Sequence, residues 1–299
     1  MAGLATLHPS SKAAARGWSD LTIRNIFIIP TIMFLIIFNV FPLLYSLGYS
    51  FTDFRASVNE PVKFVGLANY RELLNDPRIW NNFWVTAKYV MVSVFGQMVI
   101  GFGLALLLNR KIPAKGLITT LLMLPMMMSA AVVGLFWRLL YDPSWGPLNY
   151  VLGLGNLAWL SDANLALYAV AITDIWMWAP FVMLLSLAGL SAVPQHLYEA
   201  AAIDRAGSWY TFFHITLPLV SPLLLIALIF RTMEAFKTFD IAYILSTQPT
   251  TELVSIKLYK FAFQEWQTGK SCALAYIVLI MVLAITNIYV KYLNKAKER

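Results

Sequence analysis

Charged residues and cysteine are both scarce in this sequence. Charged side chains make up 12% of the 299 residues, which is about half of their usual share. Cys272 is the single cysteine, so the chain cannot form an internal disulfide. The three histidines lie in the N-terminal tail and in one loop, and neither a His-rich metal motif nor a nucleophile elbow is present. These absences argue against an enzyme with its own catalytic group.

A phosphate-binding loop is also missing. Residues 268–271, Thr-Gly-Lys-Ser, look like the end of such a motif. The motif requires a glycine five residues before Gly269, and the chain has Gln264 there. We therefore expect no nucleotide to bind this chain.

Hydrophobic residues make up 60% of the chain, whereas a soluble domain is roughly half apolar. This excess needs an apolar solvent, and a lipid bilayer supplies one. Six segments reach the ~20 apolar residues that a membrane-spanning helix needs. Because backbone polar groups in lipid must pair within their own segment, we predict an all-α polytopic membrane protein. The predicted spans are residues 26–51, 83–108, 117–140, 165–190, 217–245 and 272–293.

Lysine and arginine predict the orientation of these spans. The net charge is +7, and we attribute it to the cytoplasmic loops of a membrane protein rather than to nucleic-acid binding. Basic residues occur in both terminal tails and in the turn at residues 109–115, whereas residues 142–162 contain none. We expect both termini to be cytoplasmic. The predicted parts are a cytoplasmic tail (1–25), a first span (26–51), a periplasmic loop (52–82), a five-helix core (83–293) and a second cytoplasmic tail (294–299).

The connection between the fourth and fifth spans, residues 191–218, is longer than most turns in a compact bundle. Pro194 suits the first turn of a helix, and residues 199–206 are good helix formers. Gly207 suits a left-handed residue that ends this helix, and Ser208 suits the cap of a second short helix. Two interpretations are open: the pair of short helices docks on another protein, or it is a simple interfacial connector.

Residues 252–267 show apolar side chains at helical spacing. Two interpretations are open here as well. The segment is either an amphipathic helix that lies on the outer membrane interface or a helix that packs on neighbouring spans.

The long connection resembles the EAA loop of ATP-binding-cassette import permeases. The family usually has glycine directly after the aspartate of this motif, whereas this chain has Arg205 there and Gly207 two residues later. Residues 136–149, 174–190 and 236–245 also resemble the carbohydrate group of this family, especially the first-type membrane subunit of maltose- and glycerol-phosphate-like systems. The loop residues that carry the likeness, or depart from it, are Glu199, Ala200, Ala201, Asp204, Arg205, Gly207, Ile215, Leu217 and Pro218.

The resemblance implies the transmembrane fold of a type I importer, with the loop forming coupling helices in a cleft of an ATPase subunit. The chain would form half of the pathway for a sugar or sugar derivative, such as a glycoside, a polyol or an anionic sugar. ATP and Mg²⁺ would bind partner subunits, with no cofactor on this chain. The location would be the bacterial inner membrane. The implied partners are a second, different permease subunit, two copies of an ATP-binding subunit, and a periplasmic or lipid-anchored solute-binding protein.

Ionisable residues within the spans are costly and usually face a cavity or a partner. Asp174 lies midway along the fourth span, and four further charges follow in the fifth at intervals of three: Arg231, Glu234, Lys237 and Asp240. Two roles are open for these residues: they pair with each other as neighbours on a helix, or some of them line the solute path and contact the solute. Arg231 and Lys237 would suit an anionic solute.

The resemblance places solute contacts on the fifth and sixth spans, which adds Phe236, Cys272 and Tyr276 to the candidates. Trp137 suits stacking on a sugar ring, although tryptophan also anchors helices at the membrane interface. Because spans with internal charges also occur in ion-driven secondary transporters, a subunit of such a transporter is the alternative function.

Overall fold

The computed structural model describes residues 19–58, 60–245 and 248–297. These residues are mainly helical, and none of them forms a named strand. Five of the helices are long and apolar enough to cross a membrane, and a bent pair makes a sixth if it is counted as one span. The prediction of an all-α polytopic protein is confirmed.

The α-helices are α1 (Asp20–Leu35), α2 (Phe41–Ser50), α3 (Ala68–Asn75), α4 (Pro77–Leu108), α5 (Lys115–Met127), α6 (Ala130–Leu140), α7 (Pro147–Leu152), α8 (Ala166–Ala192), α9 (Gln195–Ile203), α10 (Ser208–Thr211), α11 (Leu217–Phe236), α12 (Asp240–Leu245), α13 (Val254–Tyr259) and α14 (Thr268–Lys297). Turns of π-helix cover Ile36–Val40, Phe212–Thr216 and Lys260–Gln264, and a 3₁₀ turn covers Pro249–Thr251.

The chain divides into two compact units, residues 1–48 and 49–299. In the first unit, α1 continues through a π turn into α2, which forms the first predicted span as one helix. Its large apolar side chains are exposed, Phe27 and Phe38 among them. Such a surface is stable where hydrocarbon replaces water as the solvent.

In the second unit, α4 and α8 form the central helix pair. A Cβ atom at Gly101 of α4 would lie 2.6 Å from the carbonyl oxygen of Ala179 in α8, so the absence of a side chain permits this close approach. Val85, Tyr89, Val170 and Met177 pack in the same core. Helix α11 packs on both α4 and α8, and α14 packs on α11.

The third predicted span is not a straight helix, which corrects the prediction for residues 117–140. Met128 and Ser129 have extended backbone dihedrals, and α5 and α6 meet at an angle of 97°. Apolar composition gives the length of a span but carries no information on its direction. The contacts of α6 favour the bend, because Gly134 lets this helix approach Ile244 of α12.

The fifth span also differs from its prediction, residues 217–245. It begins earlier, because α10, the π turn and α11 form one helix from Ser208 to Phe236. The predicted second short helix of the loop is therefore the first part of this span. The span ends after Phe236, and α12 is a separate helix.

The segment at residues 252–267 packs against neighbouring helices, which decides between its two interpretations. Val254 and Phe261 are buried in a cluster with Leu73 of α3, Ile79 of α4 and Leu274 of α14. The segment consists of α13 followed by the π turn Lys260–Gln264. Leu253 and Ile256 of its apolar stripe thus serve the core of this unit, whereas Phe263 and Trp266 are exposed.

Candidate functional site

Helix α9 and the start of α10 form one end of the second unit, close to the end of α4. The Tyr198 hydroxyl lies 3.1 Å from Thr216 Oγ1, a hydrogen bond that ties α9 to the fifth span. Ala201 is the buried residue of α9 and faces the protein. A cavity of about 460 Å³ lies between the loop and the residues that follow α4, Asn109 and Arg110.

The outer side of this end is apolar and exposed. Ile203 is 82% exposed and Trp209 is 78% exposed. Glu199, Ala200 and Asp204 are exposed in the same loop. We call Glu199, Ile203 and Trp209 the loop surface. Exposed large apolar residues next to charged ones are typical of a surface that binds another protein.

The turn that ends α9 corrects the roles predicted for Gly207 and Ser208. Arg205, not Gly207, has the left-handed conformation, with φ of 51°. The Arg205 N–H donates to Ala202 and the Ala206 N–H donates to Ala201, which is the Schellman pattern of a helix end. The left-handed residue follows the aspartate directly, two positions earlier than predicted. Gly207 then takes the N-cap position of α10, so Ser208 is not the cap.

The remaining loop residues lie along the start of the fifth span. Ile215 is half-buried in the π turn, Leu217 is half-buried and begins α11, and Pro218 is exposed. The hydrogen bond between Tyr198 and Thr216 brings this part of the chain close to α9, which carries Glu199.

A buried polar cluster joins α4, α8 and α11. Asp174 is 1% exposed and Arg231 is 2% exposed. Arg231 Nη2 lies 3.7 Å from Asp174 Oδ2. Gln97 connects the two, because its Oε1 accepts from Arg231 Nε at 2.8 Å and its Nε2 donates to Asp174 Oδ2 at 2.7 Å. The Ser93 hydroxyl also donates to Asp174 Oδ2.

Sequence reasoning missed the part that three residues play in this environment. Ser93 and Gln97 are polar residues four apart in an otherwise apolar span, which is the signal for a shared buried face. Trp178 lies with its ring 4.4 Å from the Arg231 guanidinium, which adds a cation–π contact. No sequence signal pairs Trp178 with Arg231.

The other charges of the fifth span do not join this cluster. Lys237 Nζ lies 2.7 Å from Glu234 Oε1, and both side chains are exposed. Asp240 is exposed at the start of α12. Two of the four charges thus pair within their segment, while Arg231 pairs across helices with Asp174. The four do not form one ladder, because the helix ends between Phe236 and Asp240.

The apolar candidates for the solute path lie either in the main core or on α14. Phe236 is buried in the main core, and Cys272 and Tyr276 are half-buried on α14. Trp137 is 8% exposed and packs on Tyr141 and Trp176, with ring centroids 5.3 and 5.6 Å apart. In this structure Trp137 contributes to the core. Among the described residues, no group of three or more His, Cys, Asp or Glu side chains could hold a metal ion.

Comparison with known proteins agrees with this architecture. A family model described as "Binding-protein-dependent transport system inner membrane component" matches residues 97–299. The trehalose/maltose transport system permease protein MalF of Thermococcus litoralis is 34% identical over 270 residues, 88% of this chain and 91% of the relative. The sulfoquinovosyl glycerol transport system permease protein SmoG of Agrobacterium fabrum is 32% identical and covers 93% of each chain.

Among solved structures, a bacterial ABC transporter involved in the import of the acidic polysaccharide alginate has a chain with the same fold. The TM-score is 0.79 at 21% identity, and the match covers 92% of this chain and 96% of that chain. At this identity the likeness shows the fold alone. The fold of this chain therefore belongs to a known membrane architecture.

Proposed function

Since this chain belongs to the family of inner membrane components of binding-protein-dependent transport systems, we propose that it forms half of the solute pathway of an ATP-driven sugar importer. The family makes it a multi-pass inner-membrane subunit of a transporter and not the ATPase. The sugar class rests on its relatives, which are named for trehalose and maltose and for sulfoquinovosyl glycerol. These relatives give no support to the ion-driven alternative.

The observation that carries coupling to an ATPase is the loop surface. Ile203 and Trp209 expose large apolar side chains in the same loop as the exposed Glu199, and the Tyr198–Thr216 contact fixes α9 to the fifth span. A partner that moves α9 therefore moves α11 as well. The proposed partners are two copies of an ATP-binding subunit, which hold ATP and Mg²⁺, a second and different permease subunit, and a solute-binding protein. The loop and both termini lie in the cytoplasm in this proposal.

Reconstitution of the complete transporter in liposomes tests this function. We expect sugar-loaded binding protein to stimulate ATP hydrolysis and sugar uptake to require ATP. Trehalose and maltose are the first solutes to try, because a relative carries their names. Uptake by this chain alone, driven by an ion gradient, would contradict the proposal.

Substitutions in the loop surface test the coupling role. Trp209→Ala removes an exposed ring of a type that often dominates an interface, where such truncations cost about 2 kcal/mol or more. We expect roughly thirtyfold weaker co-purification of the ATP-binding subunit, by the equivalence of 1.4 kcal/mol and one factor of ten. Trp145→Ala is the matched control, because Trp145 is also exposed but lies in the connection before α7. Intact stimulation after disruption of both Glu199 and Gly207 would exclude the loop as the coupling element.

A further inference from the structure

Four aromatic rings from two separate segments form a continuous row beyond the end of the fifth span. Phe239 and Tyr243 stack with ring centroids 5.1 Å apart. Tyr259 lies 5.0 Å from Phe239 and 5.2 Å from Tyr243, and Phe263 lies 5.1 Å from Tyr259. We call these four residues the aromatic row. It stands at the end of the fifth span opposite to the loop surface.

Local structure fixes the position of each ring. The chain breaks after Phe236, and the Phe239 carbonyl then accepts the Tyr243 N–H at 2.7 Å, which starts the turn of α12. The Ser255 hydroxyl donates to the Thr238 carbonyl at 2.5 Å, which holds α13 against this break. Phe263 follows Tyr259 by four residues through a helical turn, so both rings lie on one side. A row held in this way needs little ordering when a ligand binds.

The row is open to its surroundings and lies in a polar neighbourhood. Tyr243 is 40% exposed and Phe263 is 60% exposed. Glu234, Lys237 and Asp240, in the segment that leads into the row, are exposed as well. Charged side chains at a span face water or a protein cavity rather than hydrocarbon. The same segment therefore places the row towards an aqueous space, unlike Trp137, which is buried.

The chemistry of the row suits one class of ligand. An aromatic face carries partial negative charge, and the C–H groups on one face of a pyranose ring carry partial positive charge. The phenol groups and the neighbouring charged side chains supply hydrogen-bond partners for hydroxyl groups at the rim. Resting on the proposed sugar function, we propose that the aromatic row binds a pyranose ring of the solute by stacking as it enters or leaves the pathway.

Uptake by the reconstituted transporter tests the row, with labelled trehalose, maltose and sulfoquinovosyl glycerol as solutes and saturating binding protein. Phe263→Leu is the first variant, because this ring is the most exposed of the four and its loss leaves the core intact. Tyr259→Leu is the second. Phe263→Tyr and Tyr259→Phe keep a ring at each position. Trp145→Leu and Tyr150→Leu are the controls, since both residues are exposed aromatics outside the row.

We expect each leucine variant to reduce sugar uptake about tenfold, and the ring-retaining variants and both controls to stay within twofold of the wild type. Co-purification of the ATP-binding subunit shows that each variant folds and assembles. Unchanged uptake in both leucine variants would overturn the stacking role. A loss of uptake that is caused by weaker docking of the binding protein would overturn it as well. A wild-type complex that takes up none of the three sugars would instead contradict the proposed sugar function. The row would then have no sugar to bind.

Discussion

Asp174 and Arg231 are charged residues inside a membrane-spanning bundle, and each is stable there only because of the other. Gln97 bridges them, and Ser93 donates to the same carboxylate oxygen. Bringing an isolated charge into such an interior costs several kcal/mol, which a partner and hydrogen bonds offset. The pair therefore holds α4, α8 and α11 in one arrangement, and Arg231 is occupied by this contact in the described structure.

Removal of one partner from this pair tests that account. We expect Asp174→Asn or Arg231→Met to lower the free energy of unfolding by about 3–5 kcal/mol, because each leaves a buried group uncompensated. The double variant should recover much of this loss. Thermal and denaturant unfolding of the detergent-solubilised protein measures the effect.

Lys237→Met is the matched control for Arg231→Met. The Glu234–Lys237 pair is exposed, and exposed ion pairs contribute about 0–1 kcal/mol. If the double variant is as unstable as the worse single variant, the two residues do not stabilise each other.

Arg205 shows how one residue stores strain in the loop. Its left-handed conformation, with φ of 51°, costs a side-chain-bearing residue about 1–2 kcal/mol. Glycine has no such cost, although it lowers the folding stability by about 0.4–1 kcal/mol because it gives the unfolded chain more freedom. We expect Arg205→Gly to raise stability by roughly 0.5–1 kcal/mol in the same unfolding assay, in keeping with these two terms.

Arg205→Ala separates the backbone effect from the loss of charge. Alanine keeps the Cβ atom and therefore keeps the strain, so this variant should not be stabilised. Equal gains for the glycine and alanine variants would show that charge, and not the backbone, is responsible.

At the scale of elements, the contact between α4 and α8 depends on a missing side chain. A Cβ atom at Gly101 would lie 2.6 Å from both the Ala179 carbonyl oxygen and Val182 Cβ, which is too close for either to stay in place. We expect Gly101→Ala to cost about 1–3 kcal/mol of stability, as overpacking of a core does.

Gly103→Ala is the control on the same helix. An added Cβ there meets no atom within 4 Å, and alanine favours a helix by up to about 1 kcal/mol over glycine. The thermal unfolding temperature should therefore fall in Gly101→Ala and rise in Gly103→Ala. A Gly101→Ala variant as stable as Gly103→Ala would show that the two helices separate at little cost.

The elements also show which predictions depend on local information. The spans of α4, α8 and α14 were predicted to within six residues at each end because the length of an apolar run is a property of one segment. The bend between α5 and α6 was not predicted, since it depends on how closely α6 approaches α12. The continuous helix from Ser208 to Phe236 was missed for a related reason. The predicted span began at residue 217, whereas the helix runs continuously through this position.

At the scale of the whole molecule, the predicted orientation follows from the distribution of basic residues. The chain has a single cysteine, so a Cys272→Ser background makes labelling of introduced cysteines simple. We expect a membrane-impermeant maleimide to label Asn156→Cys in intact cells, and Asn109→Cys only after the membrane is opened. Both positions are exposed, so the difference reports the side of the membrane. The reverse pattern would overturn the orientation.

The sequence by itself determined the class of this protein. Hydrophobic excess required a membrane, and the residues between the fourth and fifth spans identified a loop that resembles those of import permeases. Both depend on runs of neighbouring residues. Tertiary structure alone decided that Arg231 binds Gln97, 134 positions away, and that Phe239 and Tyr259 stack in one row. These contacts join residues far apart in the chain, and their geometry depends on the packing of whole helices, which no local pattern of residues contains.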